Sequence, residues 1–258
     1  MSESPPPRFD EVVHRFNLEI LMQPADLAVK DGDIAITKSG DLMLNDAPYS
    51  ALFRLVQRWR FNAPTLLMLF NSVMISRRRQ QELNENLNRV FSGAPLFESS
   101  SSPTARAEQS KRFNDIHDEL GATALGAEAC AAAAVLVFNS LLLGVKEDLD
   151  ISQGTWGRTG PLIGGVSVGA IFSASANNFR HRDEWRTSRL PNTRQLSSIK
   201  VLASALGETI APDGTGHKLS RDISLEILER LSNGNWETLN SRFFEFGHNL
   251  ALNAQKAA

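Results

Sequence analysis

The hydrophobic and polar positions of this chain keep a helical period over most of its length and change to a two-residue period in one short stretch. Val12, Val13, Phe16, Ile20 and Leu21 recur at helical spacing between Phe9 and Met22, with Pro24 as the stop. Asp33-Ile-Ala-Ile-Thr and Asp41-Leu-Met-Leu then alternate on either side of Lys38-Ser39-Gly40. This predicts a small β-hairpin, the only sheet the pattern indicates. From Ala47 the helical period returns through Ala51, Leu52, Leu55, Val56 and Trp59. Asn62-Ala-Pro64 predicts a break, and a second helix follows from Thr65 to Phe91.

Gly93-Ala-Pro and the serine run Ser99 to Ser102 before Pro103 carry turn and linker chemistry. They predict an N-terminal region at 1–95 holding the hairpin and two helices, a linker at 96–108, and a C-terminal helical-bundle domain at 109–258. Residues 1–8, with three prolines, read as disordered. Ala105 to Val145 reads as one helix, or as two broken near Gly121, and Gly154 to Gly160 reads as a loop around Trp156. After Pro161, a helix from about Leu162 would set Gly165, Val168, Gly169, Phe172, Ala176 and Phe179 on one closely packed side. Leu190-Pro191-Asn192 separates it from a helix at Thr193 to Leu206, and Ala211 to Gly216 forms a loop. Helices at Ser220 to Leu231 and Trp236 to Ala254, divided by Asn233-Gly234, end the chain. The expected fold class is mainly α, a helical bundle with a small N-terminal β-hairpin.

At 258 residues the chain is long enough to bury a sizeable core. A formal net charge of -2 excludes a global basic field, so any nucleic-acid contact must be a local patch. Arg54, Arg58, Arg60 and Arg77-Arg78-Arg79 are candidates for one, although Glu82 and Glu85 dilute their field and make a solvated charged face the plainer reading. The single cysteine, Cys130, lies in an alanine run; it can form no internal disulfide and fits a reducing compartment. The N-terminal Met-Ser-Glu-Ser-Pro-Pro-Pro lacks the basic region and apolar run of a secretory signal, so a cytoplasmic protein is expected. Ala129 to Val145 and Thr159 to Asn178 approach the length of a membrane span. Their richness in Ala, Gly and Ser points instead to a buried helical hairpin, with no membrane as partner.

No metal and no cofactor are expected. The five histidines are scattered, without His-x-x-x-His or Cys-x-x-Cys spacing. The glycines of Gly160 to Gly169 lack the Lys-Ser/Thr ending of one phosphate loop and, in this reading, the preceding strand of the other. Two arginine-histidine neighbourhoods remain, Arg112-Phe-Asn-Asp-Ile-His117 and Ala176-Asn-Asn-Phe-Arg-His181. On a helix, at about 100° per residue, Asn177, His181, Glu184 and Trp185 converge on one face flanked by Arg180 and Arg182. Histidine serves as acid or base near neutral pH, and arginine stabilises a phosphorane-like charge. That pairing suits RNA cleavage, in which the ribose 2′-hydroxyl is the nucleophile. The same residues admit a structural reading: an imidazole pinned between Asn177 and Glu184, with Arg180 and Glu184 as an ordinary ion pair one turn apart.

Residues 176–181 resemble the motif of the HEPN superfamily of helical bacterial toxins and defence nucleases, which sets Arg, a polar residue often Asn, three further positions and His on one helix. Asn177 matches the polar residue and His181 the histidine, while Ala176 stands where the arginine is expected. The string Asn177-Asn-Phe-Arg-His-Arg-Asp-Glu-Trp185 also looks like one found in uncharacterised bacterial helical proteins of this kind. The resemblance implies a metal-independent RNA-cleaving or RNA-binding component of a bacterial defence or toxin-antitoxin system. It further implies a homo-oligomer whose histidines meet at a shared cleft, with His181 as general acid/base, Asn177 positioning it and Glu184 beside it. Arg180, Arg182 or an arginine from a second subunit would replace the missing cation. Arg112 and His117 keep the motif's spacing, but Phe113 occupies its polar position. The alternative is a non-catalytic protein-interaction module (antitoxin, immunity or assembly subunit) that docks a protein partner through the N-terminal hairpin and the arginine-bearing helices.

Overall fold

A computed structural model describes residues 5–91, 102–187, 190–215, 219 and 221–257. Among them the chain is mainly α, with α1 Phe9–Arg15, α2 Ala47–Phe91, α3 Pro103–Asp148, α4 Gln153–Arg158, α5 Val168–Thr187, α6 Thr193–Leu206, α7 Ser224–Ser232 and α8 Trp236–Ala257. Two short antiparallel strand pairs accompany these helices.

The long helices α2 and α3 pack along each other and form the axis of the bundle. The break expected at Asn62-Ala-Pro64 does not occur, because α2 runs through Pro64. Proline there forfeits the hydrogen bond to the carbonyl four residues back. Leu55, Val56, Trp59 and Ala63 before it and Leu66, Phe70 and Val73 after it are buried in the same core, and this burial holds the helix through the defect. Gly121 does not break α3 either. Ser102 caps α3 by accepting from the Ala105 N–H at 3.2 Å, and Pro103 takes the first helical position.

The expected linker at 96–108 thus overlaps α3 from Pro103 onward; the turn chemistry at 92–101 lies outside the described residues. The regions on either side share one core. Trp59 of α2, Phe138 of α3, Phe172 of α5 and Phe243 and Phe244 of α8 belong to a single buried cluster. Within it the Trp59 Nε1–H donates to Asn240 Oδ1 at 3.1 Å, which satisfies two polar groups that burial would otherwise leave unpaired.

The first helix is shorter than its pattern. It ends at Arg15, Asn17 turns the chain in the left-handed region (φ 49°), and a 3₁₀ turn over Glu19–Met22 buries Ile20 and Leu21. Pro7, inside the stretch expected to be disordered, accepts from Arg60 Nε at 2.6 Å; residues 1–4 lie outside the described residues. The N-terminal hairpin is present and gains a strand. Ile36 bridges to Leu42 as the alternation requires, while β1 (Val29–Lys30) also pairs with β2 (Asp33–Ile34) and Leu27 bridges to Leu44. The Ala28 N–H donates to the Met43 carbonyl, Met43 to Ala35, and Ala35 to Ala28, at 2.9, 2.9 and 2.8 Å, so three segments close on one another.

The stretch after Pro161 also departs from expectation. Where a helix start was predicted, β3 (Leu162–Ile163) pairs with β4 (Val166–Ser167), so the N-terminal hairpin is not the only sheet. Gly164 and Gly165 make the turn at φ +60° and +78°, and a Cβ on Gly164 would lie 1.9 Å from the Ser204 carbonyl oxygen. The predicted loop around Trp156 is largely the short helix α4, capped by Ser152, and it buries Trp156. The small-residue side of α5 is packed tightly, as its composition suggests. A Cβ on Gly169 would lie 2.3 Å from Phe246 and 2.7 Å from Trp156, and Val168, Phe172 and Ala176 are fully buried. Gly165, by contrast, is exposed on the hairpin.

Helix α6 has the expected bounds, and Asn233 and Gly234, both left-handed, stop α7. Helix α7 starts at Ser224 rather than at Ser220, which lies outside the described residues, as does the Gly216 end of the preceding loop. By length and composition α3 could cross a membrane, yet half of its most apolar stretch is buried inside the bundle.

Candidate functional site

Helix α5 carries the candidate residues, and its course changes at His181, where φ −122° and ψ 16° leave helical values. Two helical segments meet there. Despite the bend, Asn177, His181, Glu184 and Trp185 still come together, and they line a cleft of about 360 Å³ with Asn192, Arg194, Gln195 and Ser198. The first four come from α5, the last three from α6, and Asn192 is the N-cap of α6. Asn177 Nδ2 donates to Ser198 Oγ at 3.4 Å across the two helices. Trp185, 5% exposed, backs the cleft.

His181 Nδ1 lies 3.0 Å from Glu184 Oε1, with the two side chains 49% and 64% exposed. Solvent reaches both groups, so the pair belongs to an open site rather than to the core. In the neutral imidazole, the tautomer with the proton on Nδ1 donates to Glu184 and leaves the Nε2 lone pair open. Of the structural reading, the His181–Glu184 contact forms, while no Arg180–Glu184 ion pair is found among the described residues.

Ala176, at the position where the resembled motif has arginine, is completely buried. A side chain there points into the core, so no cation can reach the cleft from that position. Arg180 and Arg182 are exposed and do not line the cleft. Arg182 acts on a different group. Burial pushes the Glu128 carboxyl up, the charges of Asp222 and Glu226 push it further, and Arg221 and Arg182 oppose them. Among the described residues the cation that lines the cleft is Arg194, which the sequence pattern does not single out. Arg112 and His117 are exposed on α3 and line no part of the cleft; the His117 ring stacks on Phe113 with centroids 6.0 Å apart.

The arginines proposed as a basic patch are largely engaged. Arg54 is held between Asp41 and Asp148, Arg60 binds Pro7 and Gln57, Arg77 forks onto Glu229, and Arg79 reaches Glu82 and Glu119. Among the described residues no group of three or more His, Cys, Asp or Glu side chains is placed to hold a metal ion.

Two residues overlooked in the sequence have clear places. Asn178, not Asn177, is the buried pin: its Nδ2 donates to the Leu219 carbonyl at 2.8 Å and its Oδ1 accepts from the Ile223 N–H at 3.3 Å. Gly165-Val166-Ser167-Val168-Gly169 has the spacing and the strand-to-helix setting of a nucleophile elbow. Ser167 is nevertheless fully buried. Its hydroxyl donates to the Trp156 carbonyl at 2.7 Å and accepts from the Ala170 N–H at 3.1 Å, so it starts α5 and presents no nucleophile.

No family model matches this chain, and no curated protein or solved structure does either.

Proposed function

We propose that the cleft at His181 binds RNA and cleaves it without a metal ion, the activity that the HEPN resemblance of residues 176–185 implies. The observation that carries this reading is the meeting of His181, Asn177 and Glu184 with a cation, Arg194, in one solvent-open cleft. Glu184 orients the imidazole through Nδ1 and leaves Nε2 as the base. Nε2 takes the proton of a ribose 2′-hydroxyl while the 2′-oxygen bonds to phosphorus and the P–O5′ bond breaks. Water protonates the departing 5′-oxygen, and Arg194 offsets the charge gathered on the phosphoryl oxygens. The products are a 2′,3′-cyclic phosphate and a 5′-hydroxyl. Asn177, tied to Ser198, keeps α5 and α6 in register across the site.

A second reading, a protein-docking role for the N-terminal region, is favoured by a different observation. Leu27, Val29, Ile34, Ile36 and Leu42 are 51%, 69%, 46%, 62% and 58% exposed. By strand pairing and two-residue spacing they share one side of the three-segment sheet. Exposed aliphatic side chains gathered in this way mark interaction surfaces.

Induced expression of wild type and His181→Ala separates the two readings. Degraded cellular RNA and arrested growth with the wild type alone, both proteins being folded by circular dichroism, is the outcome expected of a catalytic imidazole. Intact RNA with both would leave docking as the working role.

A further inference from the structure

The first turn of a helix leaves backbone N–H groups without partners inside the helix and carries the positive end of its dipole. In α6 the cap uses only some of them. Asn192 Oδ1 accepts from the Gln195 N–H at 3.0 Å, and the Asn192 carbonyl accepts from the Leu196 N–H at 2.8 Å. The N–H groups of Thr193 and Arg194 have no hydrogen-bond partner among the described residues. This end of α6 opens on the His181 cleft, since Asn192, Arg194 and Gln195 all line it.

Gln195 gives an independent sign. It is 8% exposed, lines the cleft, and uses its Oε1 to accept from the Asn192 N–H at 2.9 Å, while its Nε2 has no partner among the described residues. The reciprocal cap thus occupies the amide oxygens of both Asn192 and Gln195, and their NH₂ groups remain as donors. With the Arg194 guanidinium, the first turn of α6 turns several N–H donors and one positive charge toward the cleft. Among the described residues the one carboxylate lining the cleft, Glu184, belongs to α5 and is engaged by His181. Such a group of donors matches the oxygens of a phosphate group.

We infer that the first turn of α6 is a phosphate seat: the Thr193 and Arg194 N–H groups, the Arg194 guanidinium and Gln195 Nε2 hold a backbone phosphate of a polynucleotide beside His181. This rests on the RNA reading of the cleft and adds the place where the chain is gripped. Arg194 is a binding residue here, set by α6 rather than by the motif on α5.

The test uses the full chain carrying His181→Ala, so that nothing is cleaved, with amide resonances followed during titration by inorganic phosphate and by a short oligodeoxyribonucleotide. The expected result is a response centred on the Thr193 and Arg194 amides and the Gln195 side chain with both probes. Adding Arg194→Gln is expected to weaken oligonucleotide binding by about 10- to 100-fold, the range of a charge-assisted hydrogen bond. Silent α6 amides, or an affinity unchanged by Arg194→Gln, overturn the seat. A response to inorganic phosphate with none to the oligonucleotide overturns the polynucleotide assignment. If the wild type fails to cut RNA while both probes still act at α6, the seat stands and the cleavage reading falls. If the wild type cuts RNA while Arg194→Gln leaves KM unchanged and α6 silent, the reverse holds.

Discussion

Purified His181→Ala is expected to cleave RNA about 10²- to 10⁴-fold more slowly than the wild type, the loss that follows removal of a positioned general base. The fold should be untouched. The imidazole is half exposed and touches no core residue through a hydrogen bond, and its partner Glu184 is 64% exposed, so removing the imidazole leaves that carboxylate in contact with solvent. No buried charge is created, so the variant should melt close to the wild type, and its far-ultraviolet circular dichroism should be unchanged. Initial rates on a defined oligoribonucleotide at neutral pH, with the melting curve alongside, measure both effects. Equal rates for the two proteins would remove His181 from the chemistry. A large fall in melting temperature would mean that the histidine is a structural pin after all.

The largest stability loss is expected far from the cleft, from Arg54→Ala. Arg54 in α2 is 11% exposed and places its guanidinium 2.9 Å from Asp41, in the N-terminal sheet, and 2.8 Å from Asp148, the last residue of α3. Asp148 is 4% exposed at its side chain and also accepts from Ser39 Oγ at 2.6 Å. One buried carboxylate therefore joins the sheet, α2 and α3 through one cation. Breaking such a pair from one side costs about 3–5 kcal/mol, because the remaining charge stays buried without its partner. For a chain of this length that is a fall in melting temperature of roughly 6–20 °C. Replacing both partners, as in Arg54→Met with Asp148→Leu, should recover much of the loss, since an apolar pair leaves no charge to desolvate. A double variant as unstable as the single one would show that the guanidinium acts through packing rather than charge.

Much of the fold is legible in the sequence because apolar periodicity is a direct statement of which faces are buried. Helix α6 and the stop at Asn233-Gly234 fall where the pattern puts them. The departures have local causes of two kinds. At Pro64 and Gly121 single residues suggest breaks, but burial on both sides of Pro64 outweighs one lost hydrogen bond, and at Gly121 one glycine costs only about 1 kcal/mol in a helix anchored by its buried stretch from Ala127 onward. At Asn17 and Gly164-Gly165 the backbone adopts left-handed angles within otherwise apolar runs, and the chain turns where periodicity alone continues. The Leu-Ile-Gly-Gly-Val-Ser string did carry a usable hairpin signal, two glycines between β-branched Ile163 and Val166.

The candidate site is half legible. Asn177, His181, Glu184 and Trp185 share a face by helical spacing, and the structure gathers them in one cleft. Arg194 is invisible to that reasoning because it enters from α6 after a turn whose geometry spacing along α5 does not describe. Arg180 and Arg182, attractive because they flank the histidine, point elsewhere for the same reason that adjacent helical residues diverge by about 100°.

The most direct measurement of the central claim compares two oligonucleotides of one sequence, one all-ribose and one with 2′-deoxyribose throughout, incubated with wild-type protein in excess EDTA. The predicted result is cleavage of the ribo-oligonucleotide alone, with 2′,3′-cyclic phosphate and 5′-hydroxyl ends. Loss of cutting in EDTA, cutting of both strands, or no cutting of either would contradict a metal-free attack by the 2′-hydroxyl at His181.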